Sequence, residues 1–257
     1  MRVDCFSELR GNNVLKYLFM CIALAVGLSA TMLPAQDIDK VVAANYPPLM
    51  VENDLDHPGY AVEVLREAAA RAGRQIEISF LPFPRAIAEV LAGPATLMPA
   101  LFFGKRRGDE FLWLAEIQKA QLRFATISKE KNGFQTLNTA RAFSSIVVEL
   151  GTTADDYLTE QGFTNLVRVN SPESSARMLE AGRVEAWFQD ERVFLQEWGA
   201  LNFTSPLVMG DVFLRVPVFL VASPMYPAER AEAYRNAIES MKADGTLDAL
   251  WSKYWQN

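Results

Sequence analysis

The feature that most constrains this chain is an alternation of strand and helix patterns that occurs twice. The first series starts at Asp39–Ala44 (DKVVAA), an apolar strand pattern. The loop after it carries Pro47-Pro48, which forbid regular structure there. AVEVLREAAARAG follows, with Val62, Leu65, Ala69 and Ala72 on one helical face and Gly73 as the stop. Next come the strand QIEISFL, a helix opened by Pro84-Arg85 and closed by Gly93, and the apolar run ATLMPAL. A second series runs from SSIVVEL through TADDYLTEQG, LVRVN and SPESSARMLEAG to VEAWFQD, with Ser171 as a cap and Pro172 at the first helical position. Such alternation predicts an α/β fold with largely parallel sheets.

Two strand-like runs have no helix beside them, LRFATISK between the series and VPVFLVAS after the second. A chain that leaves one lobe, builds another and returns crosses between them twice, and these runs are the expected crossings. The last segment, from Pro227, reads as two helices broken at Asp244-Gly245.

The N-terminus stands apart. Arg2, Arg10 and Lys16 precede an uncharged apolar run from Tyr17 to Leu33, and Leu33-Pro34-Ala35 offers a cleavage site. This is the layout of a secretory signal peptide over residues 1–35, with an uncleaved anchor as the alternative because the run just reaches spanning length. Cys21 sits in only a weak lipoprotein-like box. Both cysteines, Cys5 and Cys21, lie in this segment, so a processed chain has no disulfide, thiol nucleophile or thiolate metal site.

The net charge is −6; residues 1–35 carry three bases and two acids, so their removal leaves −7. An acidic exported chain is a poor nucleic-acid binder. The single histidine, His57, sits in a Pro-Gly loop, which argues against histidine triads and multi-histidine metal sites. No metal or cofactor is expected.

The stretch AGRVEAWFQDE poses the functional question: an apolar strand ends on Gln189, Asp190 and Glu191. From the residues alone, Asp190 reads as a helix cap or a surface turn after the strand. Gly151-Thr152-Thr153 precedes a helix, where threonine caps and backbone N–H groups receive an anion. Arg107 closes the basic run Lys105-Arg106-Arg107, which by itself reads as a solvated charge. Tyr46 offers a flat face and a hydroxyl in the first loop. Arg85 is an unusual cation at a helix N-terminus, where it needs a partner. Phe102, Phe103, Trp113 and Trp187 are core or cleft aromatics.

Four segments together resemble the family 3 extracellular solute-binding proteins, the periplasmic receptors of polar amino-acid ABC transporters. They are YPPL…HPGYAVEVLREAAARAG, LMPALFFGKRRGDEFLWL, VVELGTTADDYL with AGRVEAWFQDE, and MKADGTLDALWSKYW. The resemblance implies a two-lobed periplasmic-binding-protein fold, two crossover strands and a ligand cleft between lobes. It implies a first lobe over residues 36–125 and 219–257 and a second over 126–218.

It also implies ligand roles for Tyr46 (stacking), Arg107 with Thr152 and Thr153 (carboxylate) and Asp190 (α-ammonium), with Arg106 the alternate to Arg107 and Arg85 directed to the cleft. The implied protein is a monomer that closes on a small polar ligand in the periplasm and delivers it to an inner-membrane ABC permease. Two alternatives stay open: a dehydratase-like enzyme on the same fold, and a sensory receptor without a transport role. One departure stands out. Where the family offers hydroxyls ahead of the arginine, this chain has Pro99, Ala100, Phe102 and Gly104, which removes donors and adds bulk.

Overall fold

The computed structural model describes residues 38–127, 134 and 136–255. The segment expected to be a signal peptide, with Cys5 and Cys21, lies outside them. Among the described residues no helix is long and apolar enough to cross a membrane.

Eight strands form one sheet in the order β2-β1-β3-β8-β4-β7-β5-β6. They are β1 (Ile38–Ala43), β2 (Gln75–Phe80), β3 (Thr96–Phe102), β4 (Leu112–Thr126), β5 (Ile146–Glu149), β6 (Leu166–Val169), β7 (Ala186–Asp190) and β8 (Val208–Ala222). The helices are α1 (Tyr60–Arg71), α2 (Phe83–Ala92), α3 (Leu137–Ala140), α4 (Thr153–Glu160), α5 (Pro172–Glu180), α6 (Glu191–Ala200), α7 (Ala228–Ala243) and α8 (Thr246–Tyr254). A 3-10 turn spans Lys105–Arg107.

β1, β2 and β3 pair in parallel, and so do β5, β6 and β7. The long antiparallel pair β4/β8 joins the two groups. β3 attaches at the Val218–Ala222 end of β8, and β7 attaches at the Leu122–Ala125 end of β4. This is the two-lobed periplasmic-binding-protein fold, with β4 and β8 as its crossing strands. Both crossings begin earlier than the sequence pattern suggests, at Leu112 and Val208. Glu116, Gln118, Lys119 and Gln121 interrupt the apolar pattern of β4, because the middle of a strand that leaves one core for another is only partly enclosed.

Local chemistry sets the element ends. Gly59 precedes α1 at φ 99°, and a Cβ there would lie 2.5 Å from the Leu49 carbonyl oxygen, so only glycine fits. Ser171 caps α5 by accepting from the Ser174 N–H, with Pro172 behind it. Gly151, at φ 71°, turns the chain from β5 so that the Thr152 side chain can accept from the Asp155 N–H and cap α4. Pro99 sits where the pairing of β3 with β8 shifts register between Met98 and Leu101; a residue without an N–H is tolerated at such a bulge.

Trp187, Phe124, Phe188 and Phe194 are fully buried at the centre of the β5–β7 half. Truncating any of them to alanine costs about 3–5 kcal/mol.

Candidate functional site

In open α/β sheets ligands lie beyond the carboxyl ends of the strands. Here β1 leads to Tyr46, β3 to Arg107, β5 to Thr152 and Thr153, and β7 ends on Asp190. Tyr46, Arg107, Thr152 and Thr153 line one narrow cavity of about 30 Å3, together with Phe83, Ala100 and Phe102. That volume holds about one or two waters. A wider cavity of about 320 Å3 shares Tyr46, Phe83 and Thr152 as walls and extends to Asn45, Glu52 and Glu149.

Each clamp residue has a local cause. Tyr46 is pinned by a tight loop in which its N–H donates to the Met50 carbonyl and its own carbonyl accepts from Leu49 and Met50. Its ring meets Phe102 edge-on at 6.3 Å. Burial, with the charge of Glu149 next, pushes the Tyr46 hydroxyl well above its ordinary range, so it stays neutral.

Arg107 ends the 3-10 turn, and the Trp113 indole N–H donates to the Gly108 carbonyl at 2.9 Å, locking that turn against β4. The Arg107 guanidinium lies 5.7 Å from the Phe83 ring centroid and donates to the Gly151 carbonyl. Burial lowers its pKa, yet an arginine stays cationic. No carboxylate among the described residues forms an ion pair with it. Arg106 points elsewhere: it is largely exposed and pairs with Asp156.

Thr153 donates its hydroxyl to the Phe102 carbonyl at 3.1 Å, and Gly104 passes close to the same side chain. The residues that depart from the family pattern thus serve the cleft through backbone carbonyls, close approach and apolar walls. Thr152 is occupied as the cap of α4 and also donates its hydroxyl to the Glu149 carbonyl at 2.8 Å.

Two expected site residues are placed differently. Arg85 is exposed on α2, near Glu89, and lines neither cavity. Asp190 is buried and also lines neither. It caps α6 through the Arg192 N–H at 3.0 Å, accepts from the Gln121 N–H at 2.8 Å and holds the Arg192 guanidinium in a two-pronged pair at 2.5 and 2.6 Å. Arg192 in turn donates to Gln118 and the Lys119 carbonyl and lies over Trp251 at 4.7 Å. The strand therefore ends on acids for a structural reason. Asp190 neutralises the buried Arg192 of α6, which lies against the middle of β4, and Glu191 pairs with Arg123 at 2.7 Å.

Two carboxylates line the wider cavity, the exposed Glu52 and the buried Glu149 at the end of β5. Glu149 is 3% exposed. Ser175 and the Trp187 indole donate to one of its oxygens at 2.5 and 3.0 Å, and the Gln189 amide donates to the other. Gln189 also reaches the Tyr46 hydroxyl at 2.5 Å, joining the two groups of strands across the cleft. Burial outweighs these hydrogen bonds and raises Glu149 to about 7. Glu197 on α6 is likewise raised to about 7, by burial and by Glu173 and Glu149. The sequence carried a signal for Glu149 that went unused. IVVE is an apolar strand ending on an acid, the same pattern that drew attention to Asp190.

The family's sequence profile matches residues 38–257 under the description bacterial extracellular solute-binding proteins, family 3. The chain belongs to that family. No curated protein sequence matches this solute-binding protein significantly. Solved structures share its fold at low identity. A histidine kinase sensor domain with similarity to periplasmic binding proteins superposes with a TM-score of 0.76 at 17% identity, covering 84% of this chain and 95% of that one. The GluR0 ligand-binding core from Nostoc punctiforme, in complex with L-glutamate, gives 0.74 at 17%, covering 85% and 100%. The amino acid ABC transporter substrate-binding protein AbpA from Streptococcus pneumoniae, bound to L-arginine, gives 0.71 at 20%, covering 84% and 94%.

Proposed function

We propose that this solute-binding protein closes its two lobes, residues 36–125 with 219–257 and residues 126–218, on a small polar ligand bearing a carboxylate. The observation that carries the reading is the half-buried Arg107 guanidinium, which forms no ion pair with a carboxylate among the described residues, beside Thr152 and Thr153 on one cavity wall. A guanidinium and a helix N-terminus converge there on one anion, in a site whose apolar walls strengthen the pairing. Tyr46 and Phe83 provide flat faces for the rest of the ligand.

The ligand stabilises the closed arrangement only by contacts it makes to both lobes. The binding step needs no bond making, and the protein acts as a receptor rather than an enzyme. Export through the N-terminal signal to the periplasm, a monomeric state and delivery to an ABC permease in the inner membrane complete the proposal. The family membership and the fold shared with an amino acid ABC transporter substrate-binding protein support it.

The test is a thermal-shift panel of L-amino acids and small carboxylic acids, since a ligand that binds only the folded state raises the melting temperature. At least one carboxylate compound is expected to raise Tm, and Arg107→Ala to abolish that rise while leaving Tm in buffer nearly unchanged. Full binding to the Arg107→Ala protein sinks the carboxylate clamp.

A further inference from the structure

We propose that Glu149 is the cation-receiving group of the cleft, taking an ammonium or guanidinium nitrogen of the ligand, in place of Asp190. The inference deepens the receptor reading above and rests on it. Three observations carry it.

First, the role expected of Asp190 is chemically closed. A two-pronged bond to Arg192, the Gln121 N–H and the α6 cap already occupy both of its oxygens. A ligand ammonium at Asp190 has to displace a buried guanidinium that is itself held by Gln118, Lys119 and Trp251.

Second, Glu149 is buried on a cavity wall with hydrogen-bond donors around it but no cation. Its neighbours hold the carboxyl in place without neutralising it. The titratable groups around it are Tyr46 from the first loop and Glu197 from α6, with the Glu173–Arg177 pair of α5 beside Glu197 and, beyond them, Asp190 paired with Arg192. A buried carboxyl surrounded in this way keeps its proton to a higher pH than usual, and an arriving positive charge favours its ionised form.

Third, the electrostatics of the space favour a cation. The 320 Å3 cavity shares Asn45 and Ser171 with a neighbouring one of about 280 Å3, and the two are lined by Glu52, Glu149, Glu197 and Glu173, the last ion-paired with Arg177, with no Lys, Arg or His on their walls among the described residues. Arg107 lies on the narrow cavity at the other side of Tyr46 and Thr152. The cleft therefore carries a positive group on one side and a negative one on the other, a polarity complementary to a zwitterion or to a longer cationic amino acid.

The binding step moves one proton. A Glu149 carboxyl that is partly protonated near neutral pH gives its proton to the buffer as the cation docks. Isothermal titration calorimetry on the purified protein at pH 6.0, in two buffers of different ionisation enthalpy, reads this directly. The probes are the twenty common L-amino acids, putrescine, spermidine, succinate and phenylpropionate, each tested against the parent, Glu149→Gln and Arg107→Ala.

The expected result is a nitrogen-bearing probe that binds with net proton release. Glu149→Gln, a near-isosteric change, is expected to weaken it at least tenfold and to remove the release, while its circular dichroism matches the parent. Equal affinity and equal proton release in Glu149→Gln overturn the proposal and leave the carboxylate clamp standing, provided Arg107→Ala still loses binding. Tight binding confined to succinate or phenylpropionate also overturns it. Binding that survives Arg107→Ala but not Glu149→Gln supports the Glu149 site and sinks the clamp. No binding by any probe overturns both.

Discussion

Asp190 and Glu149 end neighbouring, hydrogen-bonded strands, and both are almost wholly buried. One is matched by a cation and the other is not. Asp190 has Arg192, and the pair ties the start of α6 to the middle of β4 and to Trp251 on the C-terminal helix. Glu149 has only neutral donors. Burial alone therefore does not mark a binding carboxylate. A buried acid with an internal cation is structure, and a buried acid without one on a cavity wall is a site waiting for charge.

The largest effect should come from breaking the matched pair. Arg192→Ala leaves Asp190 buried and uncompensated and should cost about 3–5 kcal/mol in urea unfolding. Replacing both partners, Asp190→Ala with Arg192→Met, should cost less than Arg192→Ala alone, because no lone charge remains. If the double variant is the less stable, the pair contributes more than mutual neutralisation.

The unmatched acid should show in the pH dependence of stability. Glu149 and Glu197 are raised from 4.5 to about 7 in the folded protein. Between those values the folded state holds more protons than the unfolded one, so stability falls as pH rises from about 4.5 to about 7, then levels. Each group contributes at most on the order of 3 kcal/mol to that fall. Glu149→Gln should remove its share, and a melting-temperature series from pH 4.5 to 8 with an unchanged slope sinks the assignment.

A smaller change tests how the anion side is held. Trp113→Phe keeps a ring but loses the bond to the Gly108 carbonyl, worth about 1 kcal/mol, and should weaken carboxylate binding more than it lowers Tm. The smallest effect belongs to Arg106→Ala. Its guanidinium is exposed and screened by solvent even where it pairs with the more buried Asp156, so the change should cost under about 1 kcal/mol and leave ligand affinity near that of the parent.

The strand and helix series, the caps at Thr152 and Ser171, and the break at Asp244-Gly245 could all be read from the sequence. They depend on local periodicity and turn chemistry that a window of a dozen residues contains. Tyr46, Arg107, Thr152 and Thr153 were picked out by the family resemblance, and the structure brings them to one cavity. The early halves of β4 and β8 were not, since a strand shared by two cores loses its clean alternation. Helix α6 was also missed, although Asp190 caps it as the cap alternative allowed.

What only the tertiary structure decided is which acid is free. Glu149 and Asp190 look alike in sequence, each an acid closing an apolar strand. Their difference lies in whether an arginine, at Arg192, folds back onto one of them and whether a cavity opens beside the other. The sequence determined that carboxylates would be carried to the ends of these strands. Charge neutralisation in a dry interior is a three-dimensional property, set by distances of a few ångströms between groups that the chain alone does not rank.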